Sequence, residues 1–369
     1  MQQDAHKRAL IAGSIGNFIE WYEFAVYGFL ATVIARNFFQ LEGEAELTSL
    51  ILTWASFAIA FFFRPLGAVV FGRIGDRIGR KPTLIIVLVL MTLATAAIGI
   101  VPVYASIGIA APLIVTLLRI LQGLFAGGEY GGAVSLMTEF APRGKRGLYG
   151  AWQSFTVALG LLAGAGIVAL LSALLSPEAL HDWGWRIPFF LALPLGIIGL
   201  YLRHALEETP AFQQHVEKLE QGDREGLQDG PKVSFKEIAT KHWRSLLTCI
   251  GLVISTNVTY YMLLTYMPSY LSHNLHYSED HGVLIIIAIM VGMLFVQPIM
   301  GLLSDRFGRK PFIILGSVAL FALAIPAFIL INSNVLGLIF AGLLMLAVIL
   351  NCFIGVMAST LPAMFPTHI

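Results

Sequence analysis

Apolar residues run along this chain in long blocks separated by short polar turns. Blocks of roughly 20 residues or more are long enough to cross the hydrocarbon core of a bilayer as helices. Ten spans are predicted, at about 9–35, 48–71, 83–104, 109–140, 147–175, 186–205, 245–271, 282–303, 312–331 and 335–364. The first apolar run, Ala9 to Ile34, is too long for the core of a cleaved signal and has no small-residue cleavage site, so it reads as the first span.

The polar turns alternate in charge. His6, Lys7 and Arg8 precede the first span, and Arg73, Arg77, Arg80 and Lys81 follow the second. Arg143, Lys145 and Arg146 follow the fourth, and Arg306, Arg309 and Lys310 follow the eighth. The connections between them are acidic or neutral, as in Glu42, Glu44 and Glu46 and in Glu279 and Asp280. The positive-inside rule then sets the amino terminus in the cytoplasm. The polar stretch 207–244 cannot span a membrane and divides an amino-terminal six-helix half, 1–206, from a second half, 245–369.

A repeat supports that division. Gly72-Arg-Ile-Gly-Asp76-Arg77-Ile-Gly79-Arg80-Lys-Pro82 recurs as Gly301-Leu-Leu-Ser-Asp305-Arg306-Phe-Gly308-Arg309-Lys-Pro311, each time after an even-numbered span. Repeats at corresponding places in two halves mark secondary transporters.

Composition narrows the class. Apolar residues make up 57% of the sequence and charged residues 12%, against about 25% charged in a soluble domain. A net charge of +1 points to no nucleic-acid partner. Cys249 and Cys352 lie in apolar runs and read as buried free thiols. No nucleotide-binding loop and no metal-ligand spacing of His and Cys is visible, so no cofactor, metal or enzyme is expected. A channel would need a filter or pore ring, and the repeat favours alternating access instead; a membrane osmosensor that does not transport is a further class.

The repeated Gly-x-x-x-Asp-Arg-x-Gly-Arg-Lys turn resembles the signature of the major facilitator superfamily. Gly16-Asn-Phe-Ile-Glu20-Trp-Tyr-Glu23-Phe24, Phe63-Arg64-Pro-Leu-Gly67 and Gly123-Leu-Phe-Ala-Gly-Gly-Glu129-Tyr-Gly-Gly132 are similar to its metabolite:proton symporter family. From about residue 182 the chain looks most like the osmoregulatory members, through Trp183-Gly-Trp-Arg-Ile-Pro-Phe-Phe190, Glu207-Glu-Thr-Pro-Ala-Phe212 and Thr259-Tyr-Tyr-Met-Leu-Leu-Thr-Tyr-Met-Pro268. The resemblance implies an all-α polytopic fold of two pseudo-symmetric six-helix halves, with the last two helices of the second half absent from this sequence. It implies proton symport of a zwitterionic compatible solute such as proline or glycine betaine, with a carboxylate metabolite such as 2-oxoglutarate, citrate or shikimate as the alternative. Glu23 stands where the family usually has Asp.

The candidate chemistry lies inside the spans, where ionisable groups are costly and usually functional. Asn17, Glu20, Phe24 and Tyr27 share an arc of the first helix, with Glu23 beside it. Glu20, Glu23 and Glu129 are the candidate proton carriers, each weighed against a permanently paired structural carboxylate. Arg119, Gln122 and Glu129 share a face of the fourth helix, bordered by Tyr130, while Gly123, Gly127 and Gly131 form a packing stripe. Arg119 and Glu129 are too far apart to touch, so each is expected to pair with another helix, naturally the first. Arg119 could hold a substrate carboxylate or serve a protein carboxylate. Trp21, Tyr22, Tyr130, Trp152, Tyr260 and Tyr261 offer faces for a quaternary ammonium or plain packing. Asn17, Gln122, Gln153 and Asn257 offer polar contacts; Gln297 and Asn351 are further polar groups within spans. Arg64 and Arg119 are the bases counted within the spans, too few to favour a di- or tricarboxylate. Both signature turns (Gly72, Asp76, Arg77, Gly79 and Arg80; Gly301, Asp305, Arg306, Gly308 and Arg309) read as gating parts. By the resemblance, Asp305 faces the start of the fifth helix near Gly147, and Asp76 the start of an eleventh.

Overall fold

The computed structural model describes residues 2–40, 46–139, 144–204, 240–267, 270–271 and 279–364, all helices and turns. Most of the predicted connection 207–244 lies outside them. The long helices are α1 (Gln2–Phe29), α2 (Glu46–Ile78), α3 (Arg80–Ile100), α4 (Ala110–Glu139), α5 (Arg146–Leu174), α6 (Ala192–His204), α7 (Trp243–Tyr261), α8 (Glu279–Phe307), α9 (Lys310–Ile331) and α10 (Leu336–Ala363). Among the described residues, nine helices are long and apolar enough to cross a membrane, and ten if the bent pair Gly13–Phe29 and Ala31–Phe39 is one span. The protein is therefore a multi-pass membrane protein, with each predicted span represented.

Three spans depart from simple helices. The first was expected as one helix but bends by 65° at Leu30, which leaves helical geometry at φ −95° and ψ 10°. The bend tucks Phe38 edge-on against Trp185, with ring centroids 5.2 Å apart, and lets the Asn37 amide donate to His181 O at 3.0 Å. Buried packing and one recovered hydrogen bond thus outweigh helical continuity. The sixth span starts earlier than expected, at Pro177, where the Ser176 hydroxyl caps Ala179 N at 3.2 Å. It continues through a π-helical turn, Leu180–Gly184, and a short helix, Arg186–Phe190, into α6. The seventh ends in a π-helical turn, Met262–Tyr266.

The chain forms two compact units. One comprises Met1–Phe140 and Leu159–Gln213, the other Ala141–Ala158 and Gln214–Ile369, so α5 contributes to both. In the first unit, α2 and α4 meet backbone to backbone. A Cβ on Gly67 would strike Leu124 O, one on Gly123 would strike Ala60 O, and one on Gly127 would strike Arg64 O. The glycines of α4 are packing residues, as small residues at four-residue spacing are in membrane helix pairs. In the second unit, Gly301 of α8 sits against Gly147 and Ala151 of α5, and Gly355 of α10 against Met300. Both signature turns pivot on a glycine with positive φ, Gly79 at 102° and Gly308 at 87°, where any side chain would be strained.

Candidate functional site

The first unit holds a cluster of ionisable side chains inside the helices. Glu20, Glu23, Arg119, Glu129 and Arg203 are all buried, as is Asn17. Burying a charge is tolerable only where it is paired, so the pairing defines what each group can do.

Glu20 of α1 forms an ion pair with Arg64 of α2, Oε1 to Nη2, at 2.7 Å. The Arg64 guanidinium also lies over three aromatic rings: its carbon is 4.5 Å from the centroid of Phe24, 4.7 Å from Phe61 and 5.5 Å from Trp21. Arg119 of α4 lies 4.9 Å from the same Phe24 ring, 4.3 Å from Tyr27 and 5.2 Å from Phe57. Phe24 therefore faces two guanidinium groups, and the arc of α1 that carries Glu20, Phe24 and Tyr27 is the face of α1 that meets both arginines.

Arg119 Nη1 donates to Gln122 Oε1 at 2.7 Å, and Gln122 Nε2 donates to Thr95 Oγ1 of α3 at 2.7 Å. The single hydroxyl proton of Thr95 is shared between Met91 O, at 3.0 Å, and the Glu23 carboxylate. Among the described residues, Arg119 Nε and Nη2 and Glu23 Oε1 are buried with no hydrogen-bond partner. An incompletely satisfied arginine and an incompletely satisfied carboxyl thus share one interior.

Glu129 is different. Both its oxygens accept from Arg203 of α6, one of the two bonds being Nη1 to Oε2 at 2.9 Å. Neither the expected pairing of Glu129 with α1 nor the count of two bases within the spans holds. Arg203, near the end of the sixth span and not among the sequence candidates, is buried like the glutamate it serves. A signal was present: Ala192, Gly196, Gly199 and Arg203 form a buried stripe on α6, three small residues leading to one arginine. The first helix still takes part, because a Cβ on Gly16 would strike both ends of this ion pair. Arg119 likewise meets α1 through Phe24 and Tyr27 and reaches its carboxylates only at longer range.

The other candidates divide between the units. Tyr22 is in the core of the first unit, with its hydroxyl donating to Pro188 O at 2.8 Å. That bond commits it to holding α1 against the broken sixth span. The side chain of Tyr130 lies outside the described set. In the second unit, Trp152 stacks on Phe155 at 4.8 Å, Gln153 is buried, and Tyr260 and Tyr261 meet edge-on at 5.8 Å. Asn257 is exposed and its amide donates to Val253 O at 2.8 Å on its own helix. Gln297, wholly buried, has no partner for either amide atom among the described residues. No group of three His, Cys, Asp or Glu among the described residues is placed to hold a metal ion.

Of the two signature turns, the second is described in detail. Asp305 accepts from Gly147 N at 2.6 Å and from Leu148 N at 2.9 Å. These are the first amides of α5, unpartnered within the helix itself, at its positive dipole end. Gly147 has no room for a Cβ, which would meet Ser304, Gly301 and Asp305. Arg77 and Arg306 are exposed, Arg309 is half-buried, and Gly72 has open space around it. The side chains of Asp76 and Arg80 lie outside the described set.

The comparisons with known proteins agree with this architecture. The chain is 68% identical over 363 residues to the proline/betaine transporter of Salmonella typhimurium strain LT2, covering 98% of this chain and 72% of that one. It is 62% identical, with the same coverage, to the glycine betaine/proline/ectoine/pipecolic acid transporter OusA of Dickeya dadantii. Among solved structures, the proton:xylose symporter XylE aligns with a TM-score of 0.80 over 99% of this chain and 83% of its own. At 17% identity this last likeness shows the fold alone. The family model for sugar (and other) transporters matches residues 9–369, and the chain belongs to that family of the major facilitator superfamily.

Proposed function

We propose that the protein is a secondary active carrier that couples protons to uptake of a zwitterionic compatible solute, proline or glycine betaine, by alternating access across the bacterial inner membrane. The observation that carries this reading is the pair of incompletely partnered groups in the first unit, Glu23 Oε1 and the Nε–Nη2 edge of Arg119. A buried carboxyl with a vacant oxygen and a single shared hydroxyl donor loses little when it takes up a proton. A buried guanidinium with two vacant donors gains most from a carboxylate that arrives in bidentate geometry. Glu23 is then the proton carrier and Arg119 the partner of the solute's carboxylate. Glu20 is tied to Arg64, and Glu129 is held by two bonds to Arg203, which suits it to a fixed structural role. The names of the relatives at 68% and 62% identity support the solute class.

Asp305 on the first amides of α5 would latch the cytoplasmic side closed and release as the two halves, 1–206 and 245–369, rock. The positive turns set the amino terminus in the cytoplasm. A single cysteine at Gly75 should then label only from the cytoplasmic side.

The test is uptake by purified protein in proteoliposomes, with and without an imposed proton gradient. Accumulation of labelled glycine betaine or proline that collapses with the gradient is expected. Accumulation of 2-oxoglutarate with no betaine uptake would leave the family assignment standing and refute the solute class.

A further inference from the structure

The Arg64 site has the composition of a receptor for a quaternary ammonium, yet the protein's own side chain fills it. Three aromatic rings, Trp21, Phe24 and Phe61, surround the guanidinium carbon at 5.5, 4.5 and 4.7 Å, and Glu20 supplies the negative charge at 2.7 Å. Aromatic faces closing around a cation are how choline-like groups are recognised. We propose that this cage and Glu20 form the docking place for the cationic end of the transported zwitterion, and that Arg64 is a tethered stand-in which the solute displaces. The proposal rests on the carrier function above and names the subsite that function needs.

The way Arg64 is held supports this. A guanidinium normally fixes itself through its fork of N–H donors. Here Nε is buried without a hydrogen bond among the described residues, and Nη2 meets Glu20 as an ion pair at 2.7 Å. The site therefore holds its cation chiefly by charge and ring faces. A trimethylammonium group, which has no N–H, can be held in no other way.

Exchange is also electrically balanced. The resident ion pair, Arg64 with Glu20, is replaced by two pairs: solute ammonium with Glu20, and solute carboxylate with the Arg64 released from the cage, alongside Arg119. A net-neutral solute leaves the total charge of the interior unchanged, and no buried charge is stranded. Arg64 is the arginine free to move. Its side chain is 19% exposed, against 1% for Glu20. Its backbone is pinned, because Arg64 O abuts Gly127 of α4. Displacement therefore takes a side-chain rotation and leaves α2 in place.

Tetramethylammonium, which has the cation and no carboxylate, tests the cage directly by equilibrium binding to the purified protein in liposomes. The wild type should bind it weakly, because displaced Arg64 gains nothing in return. Arg64→Gln should bind it at least about tenfold more tightly, and adding Trp21→Leu or Phe61→Leu should abolish the gain. Unchanged tetramethylammonium affinity in Arg64→Gln overturns the proposal. The second arm, independent of any Arg64 variant, compares glycine betaine with its neutral carbon isostere 3,3-dimethylbutyrate. Trp21→Leu should cut the preference for betaine about tenfold, and Trp21→Phe should restore most of it. An equal loss for both ligands would mark the rings as packing and overturn the proposal. Wild-type betaine uptake separates this result from a failure of the carrier reading: uptake with an unaltered preference refutes the cage alone.

Discussion

Glu129 was a candidate proton carrier on sequence grounds, and its geometry leads to a different expectation. Substituting Gln at Glu129 removes the charge that neutralises Arg203 and one of the two oxygens that bind it. The guanidinium then remains buried, with Leu84 O among its acceptors and no neutralising charge from Glu129. Removing one partner of a buried ion pair costs about 3–5 kcal/mol, chiefly because the other charge is left uncompensated. The three elements concerned, α1 at Gly16, α4 and α6, meet at this point, so the loss falls on the first unit as a whole. A drop in thermal midpoint on the order of 10 °C follows. Intrinsic tryptophan fluorescence in detergent measures it, since Trp185 in the same unit is wholly buried. The paired replacement Glu129→Leu with Arg203→Met should recover most of the stability, because it removes both charges together. Solute exchange and proton-driven uptake should fall in parallel in the single variant, tracking the amount of folded protein. A Glu129→Gln protein with wild-type stability that exchanges solute but no longer accumulates it would refute the argument and make Glu129 the carrier.

Other expectations follow from the same geometry. Glu23→Gln should unfold like the wild type and keep solute exchange while losing accumulation, because a permanently neutral side chain imitates the protonated carrier; counterflow and gradient-driven uptake measured together check this. Asp305→Asn should weaken the contact with the first amides of α5 by about 0.3–2 kcal/mol, shifting the protein toward cytoplasmic-open forms, read as faster labelling of a cysteine placed in the cytoplasmic vestibule. Gly127→Val should force α2 and α4 apart at Arg64 O and cost about 1–3 kcal/mol as overpacking, measured as lower thermal stability.

Much of the architecture was legible because its signals are local. Span length is a property of one run of residues, and the signature turn repeats as a string, so the ten spans and both signature turns could be read directly. The arc of Glu20, Phe24 and Tyr27 was legible for the same reason, since helical periodicity fixes which residues of one helix face together. Partners across helices were not. Nothing along α4 says that Glu129 meets α6 rather than α1; that depends on how closely Gly16 lets the ion pair approach. Arg203 was missed, because a basic residue near a helix end serves topology and pairing equally well. Tyr22 looked like a ligand face, but its hydroxyl donates to Pro188 O of the sixth span, a partner far away in sequence. The bend at Leu30 has no proline or glycine at its pivot and arises from tertiary packing.

The chain of bonds from Arg119 to Thr95 has one possible direction. Arginine carries donors and no acceptor, so Gln122 must present its oxygen to Arg119 and its nitrogen to Thr95. With its oxygen engaged as acceptor there, Thr95 must turn its only proton toward Met91 O or Glu23. The amide cannot flip and cannot pass a proton on, so the path ends at Gln122. A proton held by Glu23 can reach Thr95 and go no further along this route. With Glu23 as the proposed proton carrier, the network is an insulator between that carboxyl and the interior of α4, and so a safeguard against uncoupled proton leak.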